Sequence, residues 1–145
     1  MATAVKFLCF VEDLAEQKHD LSSDDLKLAL SNTAPTNTDT VFAPGSAHPP
    51  PASANGYTSG GESLTVTASG QSGGTYTLAA DAVVFTASGG QLGPVRYAIL
   101  YNNTATNDEV ALSWDRGASV TLETGETLTV TFGGDPTGGS VLTIA

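Results

Sequence analysis

Apolar and polar positions along the chain follow two periods. Near the start, Phe7, Phe10, Val11 and Leu14 recur at helical spacing, while Glu12, Asp13, Glu16 and Gln17 take the opposite face. This predicts a short amphipathic helix of about three turns, too short to be stable alone. It is expected to pack on the rest of the chain through Phe7, Val11 and Leu14. Past it, Ser22, Ser23, Asp24 and Asp25 read as a turn. Leu26, Leu28 and Leu30 then alternate with Lys27 and Ala29, the period of a strand with one buried face.

Residues 62–145 continue that period in short runs. ESLTVTA, TYTLAA, DAVVFTA, PVRYAILYN, EVALSWD, ASVTLE, ETLTVTF and SVLTIA are separated by Gly, Asn, Asp and Pro clusters, the rhythm of a β-sandwich or barrel. Val120 and Leu122, then Leu128, Val130 and Phe132, flank the turn Glu123-Thr124-Gly125-Glu126, which predicts a hairpin. PVRYAILY is the most continuously apolar run and is expected at the centre of a sheet.

Residues 31–61 break the pattern. Pro, Gly, Ser, Asn and Thr dominate, with Val41 and Phe42 the apolar exception, and Pro49, Pro50 and Pro51 exclude a ladder position. A connection this long is either a mobile surface excursion or an arm ordered against a neighbouring subunit. The expected architecture is mainly β: one antiparallel, jelly-roll-like β-sandwich with one short N-terminal α-helix and a long Pro/Gly-rich arm. Residues 1–30 carry the helix and first strand, 31–61 the arm, and 62–145 the β core.

Composition narrows the function. With 145 residues the chain is long enough for one domain with a real core. Fifteen acids against five bases leave a formal net charge of −10, and beyond Lys27 the only bases are Arg96 and Arg116. Phosphate neutralisation needs clustered Lys and Arg, so nucleic acid is excluded as a partner, and an anionic membrane surface with it. No run approaches the roughly 20 apolar residues of a bilayer span. The first residues lack a secretory pattern, because Glu12 and Asp13 interrupt a short apolar run. The single Cys9 allows no internal disulfide, fits synthesis in a reducing cytosol, and reads as a small core residue.

The inventory argues against an enzyme. His19 and His48 each lack a second His or a Cys at ligand spacing, and no nucleophile-elbow, phosphate-loop, zinc-helix or paired-cysteine motif occurs. The Gly73-Gly74, Gly89-Gly90 and Gly133-Gly134 pairs lie between strands, where turns explain them. Asp108, Glu109 and Asp135 do not match the spacing of a calcium loop. No catalytic residue, metal or cofactor is expected. Arg96 and Arg116 either pair with a cross-strand carboxylate or contact another protein chain. Trp114 is either core or an interface anchor. A carbohydrate-binding sandwich using Tyr57, Tyr76, Tyr97, Tyr101 or Trp114 is a further reading.

Two stretches carry a resemblance. VKFLCFVEDLAEQKHDLSSDDLKLALSNTAP (5–35) joins a short helix, an acidic turn and a Leu-rich strand. GPVRYAILYNNTATNDEVALSWDRGASVTLETGETLTVTF (93–132) holds the R-Y-A-I-L-Y-N run, the W-D pair and the G-E-T-L-T-V-T-F segment. Together they resemble a family of small structural proteins of tailed bacteriophages. The resemblance implies a virion protein made in the host bacterial cytoplasm. It would act as a capsid decoration (cement) protein on the major capsid protein, or alternatively as a tail, tail-tip or fibre component. Many copies or a homo-oligomer are implied, with other virion proteins as partners. The residues expected to meet a partner are Val41, Phe42, His48, Pro49, Pro50, Arg96 and Arg116, with the arm leading.

Overall fold

Alternating apolar and Thr-rich positions become antiparallel strands in the computed structural model, which describes residues 4–43, 47–51, 53–135 and 137–145. Among them the elements run β1 (Val5–Lys6), α1 (Cys9–Ala15), β2 (Leu26–Ser31), β3 (Glu62–Ser63), β4 (Val66–Ser72), β5 (Thr75–Asp81), β6 (Val83–Thr86), β7 (Leu92–Asn102), β8 (Val110–Leu122), β9 (Thr127–Val130) and β10 (Gly138–Ile144). Three antiparallel sheets result, ordered β1-β8-β7-β2-β3, β10-β5-β4 and β6-β9. The fold is therefore mainly β and sandwich-like, with one short helix. The PVRYAILY run lies in β7, the middle strand of the five-stranded sheet, where its apolar continuity placed it.

One face of that sheet turns its Leu28, Leu30, Leu100, Leu112 and Trp114 toward Leu78, Phe85, Val130 and Phe132 of the other layer. Trp114 is core, 5.6 Å from the Phe132 ring. The opposite face presents Ala29, Ile99, Tyr101 and Val110, and is covered by Phe7 and Phe42. Leu26, Leu28 and Leu30 are buried as their alternation predicts, but so are Ala29 and Ser31. The expectation of one buried face thus gives way to two, because a second layer of chain lies over the sheet.

Part of that layer is the expected arm. Leu8 N–H donates to Asn37 C=O at 2.9 Å, Val110 N–H to Thr40 C=O at 3.2 Å, and Phe42 N–H to Asp108 C=O at 2.8 Å. Val41 bridges Glu109. Farther on, Tyr57 is buried and its hydroxyl accepts from Leu30 N–H at 3.1 Å. Residues 44–46 and 52 of the arm lie outside the described residues.

Three local expectations change. The helix spans seven residues and begins after Phe7, so Phe7 and Val11 do not share its inward face. Phe10 is buried there instead, Leu14 is half-buried, and Val11 is 55 % exposed. The predicted hairpin at 120–132 keeps its turn, with Glu126 N–H donating to Glu123 C=O at 2.9 Å. Its arms, however, enter different sheets: β8 pairs with β7, and β9 pairs with β6. The turn is a corner between layers, which alternation within each arm cannot distinguish from a hairpin. Finally, EVALSWD and ASVTLE form one 13-residue strand, since Gly117, at φ 96°, carries the chain through the break without ending it.

Candidate functional site

The residues singled out in the sequence do not converge. Phe42 is 6 % and His48 0 % exposed, and their rings stack at 5.6 Å, with Phe42 also 4.3 Å from Tyr101. Both are withdrawn from solvent in this structure and pack as core. The His48 ring is held at both nitrogens: Nδ1 accepts from Ala43 N–H at 3.1 Å, so Nε2–H donates to Asp39 Oδ2 at 2.9 Å. Burial raises the Asp39 pKa, but donors from the Thr36 hydroxyl, the Thr36 N–H and His48 outweigh it, leaving it below 3.8. Pro49 is exposed, while Pro50 and Val41 are half-buried.

Arg96 takes the cross-strand carboxylate. Its Nε and Nη2 donate to the two oxygens of Asp115 at 2.7 and 2.8 Å, a bidentate pair. Hydrogen bonding from Arg96, then from Gly117 N–H, holds the Asp115 carboxyl down at about 2. Arg116 is exposed and donates to Ala118 C=O at 3.1 Å. Cys9 is half-buried against the second core, and burial, with Asp13 nearby, pushes its thiol up to about 11. It is a poor nucleophile at neutral pH.

A buried polar hub gathers Lys18, His19 and Asp24 around Asn102, which nothing in the sequence connects to them. Helix α1 ends in a Schellman turn: Lys18 N–H donates to Asp13 C=O at 2.8 Å and Gln17 N–H to Leu14 C=O at 3.3 Å, with Gln17 at φ 64°. That turn folds Lys18 Nζ back to 2.8 Å from Oδ1 of Asp13, which is only 3 % exposed. It also delivers His19 to Asn102, at the end of β7. Asn102 is fully buried. Its Oδ1 accepts from Thr104 N–H at 3.0 Å and Ala105 N–H at 3.1 Å, while Nδ2 faces Lys18 C=O at 3.2 Å, His19 Nδ1 at 3.1 Å and the Asp24 carboxylate. One carboxamide therefore joins the helix end, the acidic turn and the β7–β8 loop.

Two grooves flank this hub. One, of about 610 Å³, lies between Leu14, Leu21, Tyr76 and Ile144, with His19 and Asp20 on its wall. The other, of about 550 Å³, lies between Lys18, Asp24, Thr106 and Glu109. Titratable side chains line both, His19 and Asp20 the first and Lys18, Asp20, Asp24 and Glu109 the second. Asn102 as donor leaves His19 Nδ1 the acceptor, so Nε2 carries the proton, yet it is buried without a partner among the described residues. Burial lowers the His19 pKa below 6.5, against the opposing pull of Asp13, Glu109 and Asp24. Among the described residues, no group of three or more His, Cys, Asp or Glu is placed to hold a metal ion. Tyr57, Tyr101 and Trp114 are buried, so they offer no stacking platform for a sugar.

The lowered His19 pKa has a consequence for stability. The unfolded chain takes up a proton near pH 6.5, while folded His19 resists it, so this contribution is complete above that pH and shrinks as pH falls below it. Asp39 and Asp115 act in a lower window, stabilising above 3.8 and losing that effect as acid protonates them. Urea unfolding from pH 7.5 down to pH 5 is expected to show falling stability in the wild type and a flatter profile in His19→Gln. Parallel profiles would mean that His19 is not held neutral.

The surface offers more than the grooves do. Val5, Leu8 and Val11 are 55, 59 and 55 % exposed, an apolar stripe from the edge strand β1 across the start of α1. No protein family, curated protein or solved structure matches this chain.

Proposed function

We propose that this chain is a non-enzymatic structural protein of a tailed-phage particle, decorating the capsid by binding the major capsid protein in many copies. The observation that carries this reading is the exposed stripe Val5–Leu8–Val11, three large apolar side chains that run from the edge strand β1 into the start of α1. Surface apolar residues scattered singly need no explanation, but three so close in sequence, beginning on an edge strand, have the character of an interface. The stripe falls within residues 5–35, one of the two stretches that resemble phage structural proteins. A partner that binds only the assembled shell stabilises that shell, and many modest contacts acting together hold firmly. The net charge of −10 suits a many-copy protein that must stay soluble until it binds. Synthesis in the bacterial cytoplasm and residence in the virion follow from this reading.

The test is co-sedimentation of the purified chain with phage heads lacking it, and separately with isolated tails. Saturable binding to heads, in numbers comparable to capsid subunits, is expected. Leu8→Asp combined with Val11→Asp should weaken that binding by at least roughly tenfold, since charge at an interface core is strongly disfavoured. Folding stability should change little, because exposed substitutions usually cost within about 0.5 kcal/mol each. Binding to tails alone, at a few copies, would favour the tail-component alternative. Binding to neither would remove the phage reading.

A further inference from the structure

Strand β4 stands apart from the rest of the molecule. All seven of its residues, Val66–Ser72, are exposed, although side chains alternate between both faces of a strand. It is an edge, since it pairs only with β5 in the order β10-β5-β4. A Cβ built on Gly70, Gly73 or Gly74 would meet no atom within 4 Å, so the hairpin and its tip project into open space. Edge strands are ordinarily shielded by a charge, a proline, a bulge or a covering loop. This one has neither charge nor proline, and its single irregularity falls at its start, between Val66 and Ala68. Ala68–Ser72 are left regular, about 17 Å of unpaired backbone edge. The wider segment Ser63–Ala80 contains no charged residue in a chain of net charge −10.

We propose that the β4–β5 hairpin is a self-association element, in which β4 pairs antiparallel with β4 of a second copy across a two-fold axis near Gly70. Two three-stranded sheets would then join into one of six strands. The neutral segment matters because two copies of one acidic chain repel wherever their carboxylates meet, and here they meet without any. The geometry favours the two-fold. Both β10 and β4 run antiparallel to β5, so a head-to-tail repeat would pair β4 with β10 in parallel and leave an open series. Antiparallel pairing of β4 with itself closes, and its ladder is the more stable kind. The inference is independent of the particle to which the chain binds.

Sedimentation equilibrium of the full chain, from low micromolar to near-millimolar concentration, tests this. A monomer–dimer equilibrium is expected. Gly70→Asp should weaken it by at least roughly tenfold, because like charges meet at the axis. The site has room for the side chain and no positive φ, so the circular dichroism and thermal midpoint should remain those of the wild type. Leu8→Asp should leave the dimer intact. A wild type that stays monomeric throughout would overturn the proposal. So would a dimer that survives Gly70→Asp, or one that Leu8→Asp dissolves. Loss of head binding in Gly70→Asp with a monomeric wild type would reassign the edge to a capsid strand.

Discussion

Phe42→Ala is expected to lower the free energy of unfolding by about 3–5 kcal/mol, the usual cost of deleting a buried Phe ring. The residue sits in the segment whose composition least suggests a core. Yet it is 6 % exposed, lies between the rings of Tyr101 and His48, and covers the outer face of the central strands with Phe7. Removing it would open a cavity over Ile99 and Val110 and release the stack that keeps His48 against Asp39. Urea denaturation would read the loss as a lower midpoint at similar slope. Hydrogen exchange should show faster opening of residues 37–43 before the rest. A loss below about 1 kcal/mol, the range of surface positions, would mean that the arm only rests on the sheet.

Asn102→Ala should be the second most damaging change, at about 3 kcal/mol or more. Its carboxamide is fully buried and satisfies Thr104 N–H, Ala105 N–H and Lys18 C=O. A partner left without a hydrogen bond costs about 1–3 kcal/mol where water is kept away, and less at the exposed Thr104 and Lys18, which can turn to water. Asn102→Asp distinguishes a hydrogen-bonding role from packing. It keeps the acceptor for both loop amides but sets a second carboxylate against Asp24. It should therefore be destabilised at neutral pH and recover in part as acid neutralises one of the two. Equal damage at every pH would point to shape alone.

The helix illustrates why local pattern misleads about facing. Phe7, Phe10, Val11 and Leu14 satisfy a helical stripe, but the chain enters α1 only at Cys9, so Phe7 is free to turn onto the second core while Val11 points outward. The two arginines part ways: of the two roles read for them, a cross-strand carboxylate is what Arg96 takes in Asp115, whereas Arg116 donates to Ala118 C=O within its own strand. Asn102 carried no signal, because an Asn closing an apolar strand looks the same whether it faces water or anchors a loop. The edge of β4 was equally silent: the predicted run ESLTVTA reaches only Val66–Ala68, and Ser69–Ser72 read as the separator before the next strand.

By itself, the sequence determined whatever is local. Period-two alternation and Gly-rich punctuation specified most of the strands, β7 as the central one, the mainly β class and the shortness of the helix. Only the tertiary structure decided which strands pair, since the same turn at Glu123–Glu126 serves a hairpin or a corner between layers. It alone showed that a Pro-rich stretch supplies core through Phe42, His48 and Tyr57. Burial belongs to the whole packing, because any one segment can be covered only by segments distant in the chain. The same reason leaves Val5, Leu8, Val11 and β4 visible only as what the folded chain does not cover.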